Sequence, residues 1–133
     1  MKCVFCGKEI PDVESCNASP FRGRCCHECD DNIVIRARML HLYPISAVCF
    51  DIENKIIKRY NAQVYSKESI QSMLNSTNVD AICSIEAYGE KFIVFATTDK
   101  RQMKMNKMFN QLFEKQCNPL KGNVLLVNEL YLI

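Results

Sequence analysis

Two pairs of cysteines constrain this chain more than any other feature. Cys3-Val4-Phe5-Cys6-Gly7-Lys8 is answered further on by Cys26-His27-Glu28-Cys29. Zinc takes four soft ligands in a tetrahedron, and each Cys-x-x-Cys pair supplies two thiolates to one ion. Gly7 follows the second sulfur, where the chain turns through a positive φ that glycine adopts without strain. A redox Cys-x-x-Cys of the thioredoxin type needs a surrounding βαβ pattern, and none is present. The expectation is one structural Zn²⁺ held by Cys3, Cys6, Cys26 and Cys29. Cys25 adjoins Cys26 and either can serve, although only Cys26 makes a Cys-x-x-Cys with Cys29.

The chain has nine cysteines, an odd number that does not suit a complete disulfide framework. Cys16 lies in a loop-like stretch, Ser15-Cys16-Asn17-Ala18-Ser19-Pro20, without a partner at metal spacing. Cys49, Cys83 and Cys117 sit in apolar or amphipathic segments and read as small buried hydrophobes. His27 is flanked by ligand positions and His41 is remote, so both read as surface or packing residues. After Cys29, the acids Asp30 and Asp31 precede an apolar stripe of Ile33, Ala37 and Leu40, stopped by Pro44. That pattern predicts a helix over about 27–42. A knuckle, a loop or hairpin, and a ligand pair at a helix start make a treble-clef arrangement; a zinc ribbon, with strands in place of the helix, is the alternative.

Residues 2–40 resemble a type of small zinc-finger protein found in phages and mobile elements. The matching residues are Lys2-Cys3-Val4-Phe5-Cys6-Gly7-Lys8-Glu9-Ile10, then Asn17 and Pro20, then Gly23-Arg24-Cys25-Cys26-His27-Glu28-Cys29-Asp30, then Val34-Ile35-Arg36-Ala37-Arg38. The resemblance covers the first third of the chain and implies a metal site and a genomic setting, not a reaction.

With 133 residues the chain can hold a zinc module at 1–45 and a body domain at 46–133. The body reads as an α+β layer ordered ββαββαβ, mainly antiparallel, with two helices on one face. Ser46–Asp51 and Ile56–Tyr60 form a first hairpin. Ser66 caps a helix carrying Ile70, Met73 and Leu74, which ends at Asn75-Ser76-Thr77-Asn78. Val79–Tyr88 and Lys91–Ala96 form a second hairpin, expected centrally in the sheet because it is the most apolar stretch. Asp99 opens the longest predicted helix, through about Cys117, with Met105, Met108, Phe109, Leu112 and Phe113 as its buried stripe. A final strand runs from Asn123 to Ile133.

The formal charge of +2 falls to about zero once four thiolates and one Zn²⁺ are counted, so a globally basic, nucleic-acid-coating surface is not expected. Local clusters remain. Lys100, Arg101, Lys104 and Lys107 group on the predicted long helix, and Arg36 and Arg38 follow the cysteine module. These are the candidate macromolecule-binding residues, against the plainer reading of a solvated lysine face and arginines neutralising nearby acids.

No catalytic residues are expected. There is no phosphate-cradling glycine loop, and no nucleophile beside a base. Asp80, Glu86, Glu90 and Lys91 invite comparison with a metal-dependent nuclease core, but the Glu-x-Lys such a core wants is missing. A zinc with four cysteine ligands has no open position and is structural. No apolar run reaches the ~18 residues of a membrane span, and the opening turns polar at Gly7-Lys8-Glu9, which reads as a cytoplasmic protein. The leading expectation is therefore a non-enzymatic phage or mobile-element accessory protein that binds and modulates a host protein, a defence or nucleic-acid enzyme among the options. A nucleic-acid-binding zinc finger is the alternative, and a metal-dependent nuclease a distant third.

Overall fold

A computed structural model describes residues 1–42, 44–61, 64–98 and 103–133. The cysteine-rich N-terminal segment holds a two-stranded ribbon, β1 (Cys16–Asn17) and β2 (Arg24–Cys25). A helical segment follows, made of α1 (His27–Cys29), a π-turn (Asp30–Val34) and α2 (Ile35–Arg38). The body contains β3 (Ala47–Asp51), β4 (Ile56–Tyr60), α3 (Lys67–Leu74), β5 (Val79–Ala87), β6 (Glu90–Thr97), α4 (Lys107–Leu112) and β7 (Val124–Asn128). The predicted ββαββαβ order is present, and all pairings in the five-stranded sheet are antiparallel, in the order β4-β3-β7-β6-β5.

The two body helices lie on opposite faces, not on one. Registers Ala47↔Val127 and Cys49↔Leu125 place those four residues on a back face, where α3 packs Ile70 and Leu74. Val48, Phe50, Val124 and Leu126 point to the front, under Met108 and Phe109 of α4 and Phe113 just after it. Phe50, Phe109 and Phe113 form a triangle with ring centroids 5.2 to 6.1 Å apart. The same front face receives Ile33, Val34, Ala37 and Leu40 from the helical segment, so one continuous core joins the cysteine-rich segment to the sheet. The front has two coverings to accommodate, and α3 takes the back.

This layering explains a misplaced centre. The second hairpin does not lie centrally: β5 is an edge strand, and β7 sits in the middle. Every residue of β3 and β7 is buried, because both faces of those strands are covered. On β5, Asp80, Ser84 and Glu86 are exposed, and a bulge lies between Ala81 and Cys83. Edge strands are commonly interrupted and charged in this way, which discourages pairing with other chains.

Two further expectations need correction. Of the predicted helix from Asp99 to Cys117, residues 99–102 lie outside the described residues and the described part is α-helical only over α4; Met105 is exposed, in a bridge with Lys121 instead of in the apolar stripe. Asn106 ends the run by capping α4 through its side chain. The predicted final strand stops at Asn128 and continues as a 3₁₀ turn, Glu129–Tyr131, after which Leu132 bridges to Tyr65. By contrast, Ser66 caps α3 as expected, reciprocally with Ser69, and Asn75 closes that helix in a left-handed conformation.

The β3–β4 turn is set by Asp51. Its nearly buried carboxylate accepts hydrogen bonds from the Asn54 amide at 3.0 Å and Asn54 Nδ2 at 2.9 Å, and pairs with Lys58 Nζ at 3.0 Å. Burial raises its pKa, but the bonds from Asn54 and Lys58 outweigh burial and leave it below the usual carboxylate value. Below that usual value the unfolded chain takes up the proton first, so stability falls as pH drops through the depressed pKa of Asp51. Asp51→Asn should therefore flatten the acid limb of a stability-against-pH curve from urea melts. An acid limb as steep as that of the parent would show that Asp51 does not contribute.

Candidate metal centre

Cys3 and Cys6 lie in a tight knuckle. The Cys3 amide donates to the Lys8 carbonyl at 2.9 Å and the Gly7 amide to the Cys3 carbonyl at 3.0 Å, with Gly7 at a φ of 77°. A bridge between Lys2 and Glu9 closes its base. The ribbon comes against the knuckle at Gly23, which has a φ of 100°; a Cβ there would sit 2.5 Å from Val4 Cγ1. The adjoining Val4 amide donates to the Arg24 carbonyl at 3.1 Å. Cys26 caps α1, accepting from the Cys29 amide on its sulfur, and Cys29 closes that turn.

These elements bring four sulfurs together. The Sγ atoms of Cys3, Cys6, Cys26 and Cys29 all lie within 4.8 Å of one another, and Cys6 and Cys26 stand 3.8 Å apart. Cys3, Cys26 and Cys29 are buried and Cys6 is half-buried. Such a cluster is compatible with one metal ion at its centre. Of the two neighbours, Cys26 joins the cluster, while Cys25 belongs to β2, opposite Cys16, and is fully buried.

The electrostatics suit a cation. Burial raises the Cys3 pKa, yet amide hydrogen bonds from Cys6, Cys26 and Phe5 overcome it and bring the thiol down to about 6. Cys29 is pushed strongly upward, first by burial, then by its hydrogen bonds with Cys26 and Cys3 and by the charge on Cys3. A thiolate at Cys3 opposes ionisation of Cys29 beside it. Further thiolates require positive charge among the four sulfurs.

The other cysteine and histidine expectations sort as follows. Cys16 Sγ lies 3.4 Å from His27 Nδ1, and His27 is exposed, outside the cluster. His41 is exposed as well. Cys49 is buried, whereas Cys83 and Cys117 are only half-buried and face each other at 2.7 Å.

The candidate macromolecule-binding residues divide. Lys100 and Arg101 lie outside the described residues. Arg38 donates from Nε to the Ser19 carbonyl at 2.7 Å and from a terminal nitrogen to the Asn17 carbonyl at 2.9 Å, so it clips the ribbon to α2. Arg36 donates to the Ile57 carbonyl at 3.3 Å, tying the helical segment to β4. Lys104 and Lys107, with Lys55 and Lys121, line a groove of about 1100 Å³ beside the knuckle. Its apolar lining includes Phe5, Met103 and Met105, and among the described residues its one acid is Glu53. None of the four lysines makes an ion pair among the described residues. Lys55 comes from the β3–β4 turn and Lys121 from the loop before β7, so no local pattern could have grouped them with Lys104 and Lys107.

The acids of the nuclease comparison do not converge. Asp80 and Glu86 are six residues apart on one strand, which spans roughly 20 Å. Glu90 accepts from Asn128 Nδ2 at 2.6 Å, and Lys91 pairs with Glu129 at 3.7 Å. Among the described residues, no helix is long and apolar enough to cross a membrane. Comparison with protein-family models, with curated proteins and with solved structures finds no match to this chain.

Proposed function

We propose that this chain is a zinc-scaffolded, non-enzymatic binding protein of the phage or mobile-element kind, acting in the host cytoplasm by engaging and modulating a host protein. Zinc is the ion the donors favour: Zn–S bonds of about 2.3 Å place tetrahedral sulfurs about 3.8 Å apart, the separation of Cys6 and Cys26. Four cysteines leave the ion no open position, so its role is to hold the module together. The knuckle, ribbon and helix start support a treble-clef-like reading of that module. Cys3 and Cys6 come from the knuckle, Cys26 and Cys29 from the first turn of the helical segment.

The observation that carries the function is the groove lined by Lys55, Lys104, Lys107 and Lys121 over methionines. Methionine adapts to varied apolar shapes, and clustered lysines select acidic partners and speed their approach. An acidic segment of a host protein with apolar side chains between its acids matches both. Nucleic acid is the second reading, since the same lysines suit phosphates. Single-strand binding sites usually add aromatic platforms for the bases. Among the described residues, the aromatic side chain in this lining is Phe5, packed edge-on against Phe21 with centroids 5.2 Å apart.

The test is capture from host lysate with the parent chain and a Lys104→Glu, Lys107→Glu double variant, zinc content being measured for both. The expected result is one host protein captured by the parent and at least about tenfold less by the variant, with a salt-sensitive association rate. Capture indifferent to the two lysines would overturn the reading. Steeply salt-dependent binding to bare nucleic acid would support the second reading instead, and turnover of a nucleic acid would replace both.

A further inference from the structure

Cys83 stands on the edge strand β5, and Cys117 follows α4. They are 34 residues apart in sequence, yet their Sγ atoms are 2.7 Å from each other. That is closer than two unbonded sulfurs rest, and within an ångström of the disulfide bond length of about 2.05 Å. Flanking contacts hold the approach. Gln116 accepts from the Glu86 amide at 2.8 Å and donates to the Glu86 carbonyl at 2.9 Å, clamping the residue before Cys117 to the strand that carries Cys83. The Cys117 amide donates to the carbonyl of buried Phe113 at 3.1 Å. Both cysteines pack on the front-face core and remain half-buried. Neither belongs to the four-sulfur cluster.

We propose that Cys83 and Cys117 form a redox pair that closes to a disulfide when a small-molecule disulfide, such as oxidised glutathione, is abundant. One cysteine, as its thiolate, attacks the oxidant and releases one molecule of reduced thiol, leaving a mixed disulfide. The second cysteine, as its thiolate, attacks the protein sulfur of that bond and releases the second thiol. Two protein S–H bonds and one oxidant S–S bond are exchanged for one protein S–S bond and two oxidant S–H bonds. The two cysteines give up two electrons and the oxidant accepts them. The product staples the edge strand to the segment after α4 and restricts the unfolded chain over a long loop.

The test equilibrates the metal-loaded protein in mixtures of oxidised and reduced glutathione. Each sample is then read by non-reducing peptide mapping, thermal melting and metal analysis. The expected results are a Cys83–Cys117 cross-link, a melting temperature raised by roughly 10 °C, full reversal by dithiothreitol, and unchanged metal content. A Cys83→Ser, Cys117→Ser variant should keep its metal and lose the oxidant-dependent shift. Absence of the cross-link in the most oxidising mixture would overturn the proposal. So would persistent glutathione adducts on Cys83 or Cys117, a cross-link that leaves the melting temperature unmoved, metal loss accompanying oxidation, or an equal shift in the double variant.

Discussion

Replacing Cys29 by serine should abolish stoichiometric metal binding and unfold far more than the metal site. A four-thiolate zinc contributes about 10–16 kcal/mol of apparent binding free energy in small zinc-dependent modules, against a total stability of about 5–15 kcal/mol for an ordinary domain. Three cysteines and a hydroxyl cannot recover that. The consequence reaches the sheet because Ile33, Val34, Ala37 and Leu40, which follow Cys29 on the helical segment, share one core with Phe50, Phe92 and Leu126. Losing the metal frees the segment that covers the front face. The parent should carry about one zinc per chain; Cys29→Ser and Cys3→Ser should carry almost none. Limited proteolysis should then cut within the first forty or so residues and, at slightly higher temperature, within β3. Cys16→Ser and Cys25→Ser should keep the metal, since neither sulfur joins the cluster. Retention of zinc by Cys29→Ser, or its loss in Cys25→Ser, would mean that the ligand set is wrong.

The gathering of Cys3, Cys6, Cys26 and Cys29 was the most legible part of the sequence, because metal-binding patterns fix both residue type and spacing. Local capping chemistry was legible for the same reason: Ser66 and Asn75 act within one helix turn of themselves. Tertiary burial was not. The run Val124-Leu125-Leu126-Val127 is continuous in hydrophobicity, as a strand covered on both faces must be. Such a run says nothing of which neighbours flank it, and the second hairpin was given the central place that β7 holds. The helix expected from Asp99 failed at Asn106, a residue that works through contacts distant in sequence. The lysines of the groove failed likewise: Lys104 and Lys107 are near neighbours in the chain, but Lys55 and Lys121 reach them only through the fold. Cys83 and Cys117 looked like ordinary apolar residues until the fold set their sulfurs face to face.

Asn106→Ala should cost about 3–5 kcal/mol, far more than the ~1 kcal/mol of a lost helix cap. Asn106 is fully buried. Its Oδ1 accepts from the Phe109 amide at 3.0 Å, which is the cap. Its Nδ2 donates to the carbonyls of Phe50 at 2.9 Å and Gly122 at 2.8 Å, joining α4 to β3 and to the loop entering β7. Alanine removes a donor from two carbonyls and an acceptor from one amide, all at a fully buried position. Asn106→Asp separates the two roles. As a cap, aspartate is as good as asparagine, so a residue that only capped α4 would tolerate the change. Here the carboxylate would keep the bond from the Phe109 amide but lose both donations and bring a buried negative charge against two carbonyl oxygens. Asn106→Asp should therefore be at least as destabilising as Asn106→Ala in chemical denaturation at neutral pH, and should regain part of its stability on acidification as the carboxyl takes up a proton and can donate one hydrogen bond. An aspartate variant as stable as the parent would reduce Asn106 to a helix cap, and the front-face layer would then rest on the phenylalanine triangle and the cysteine-rich segment.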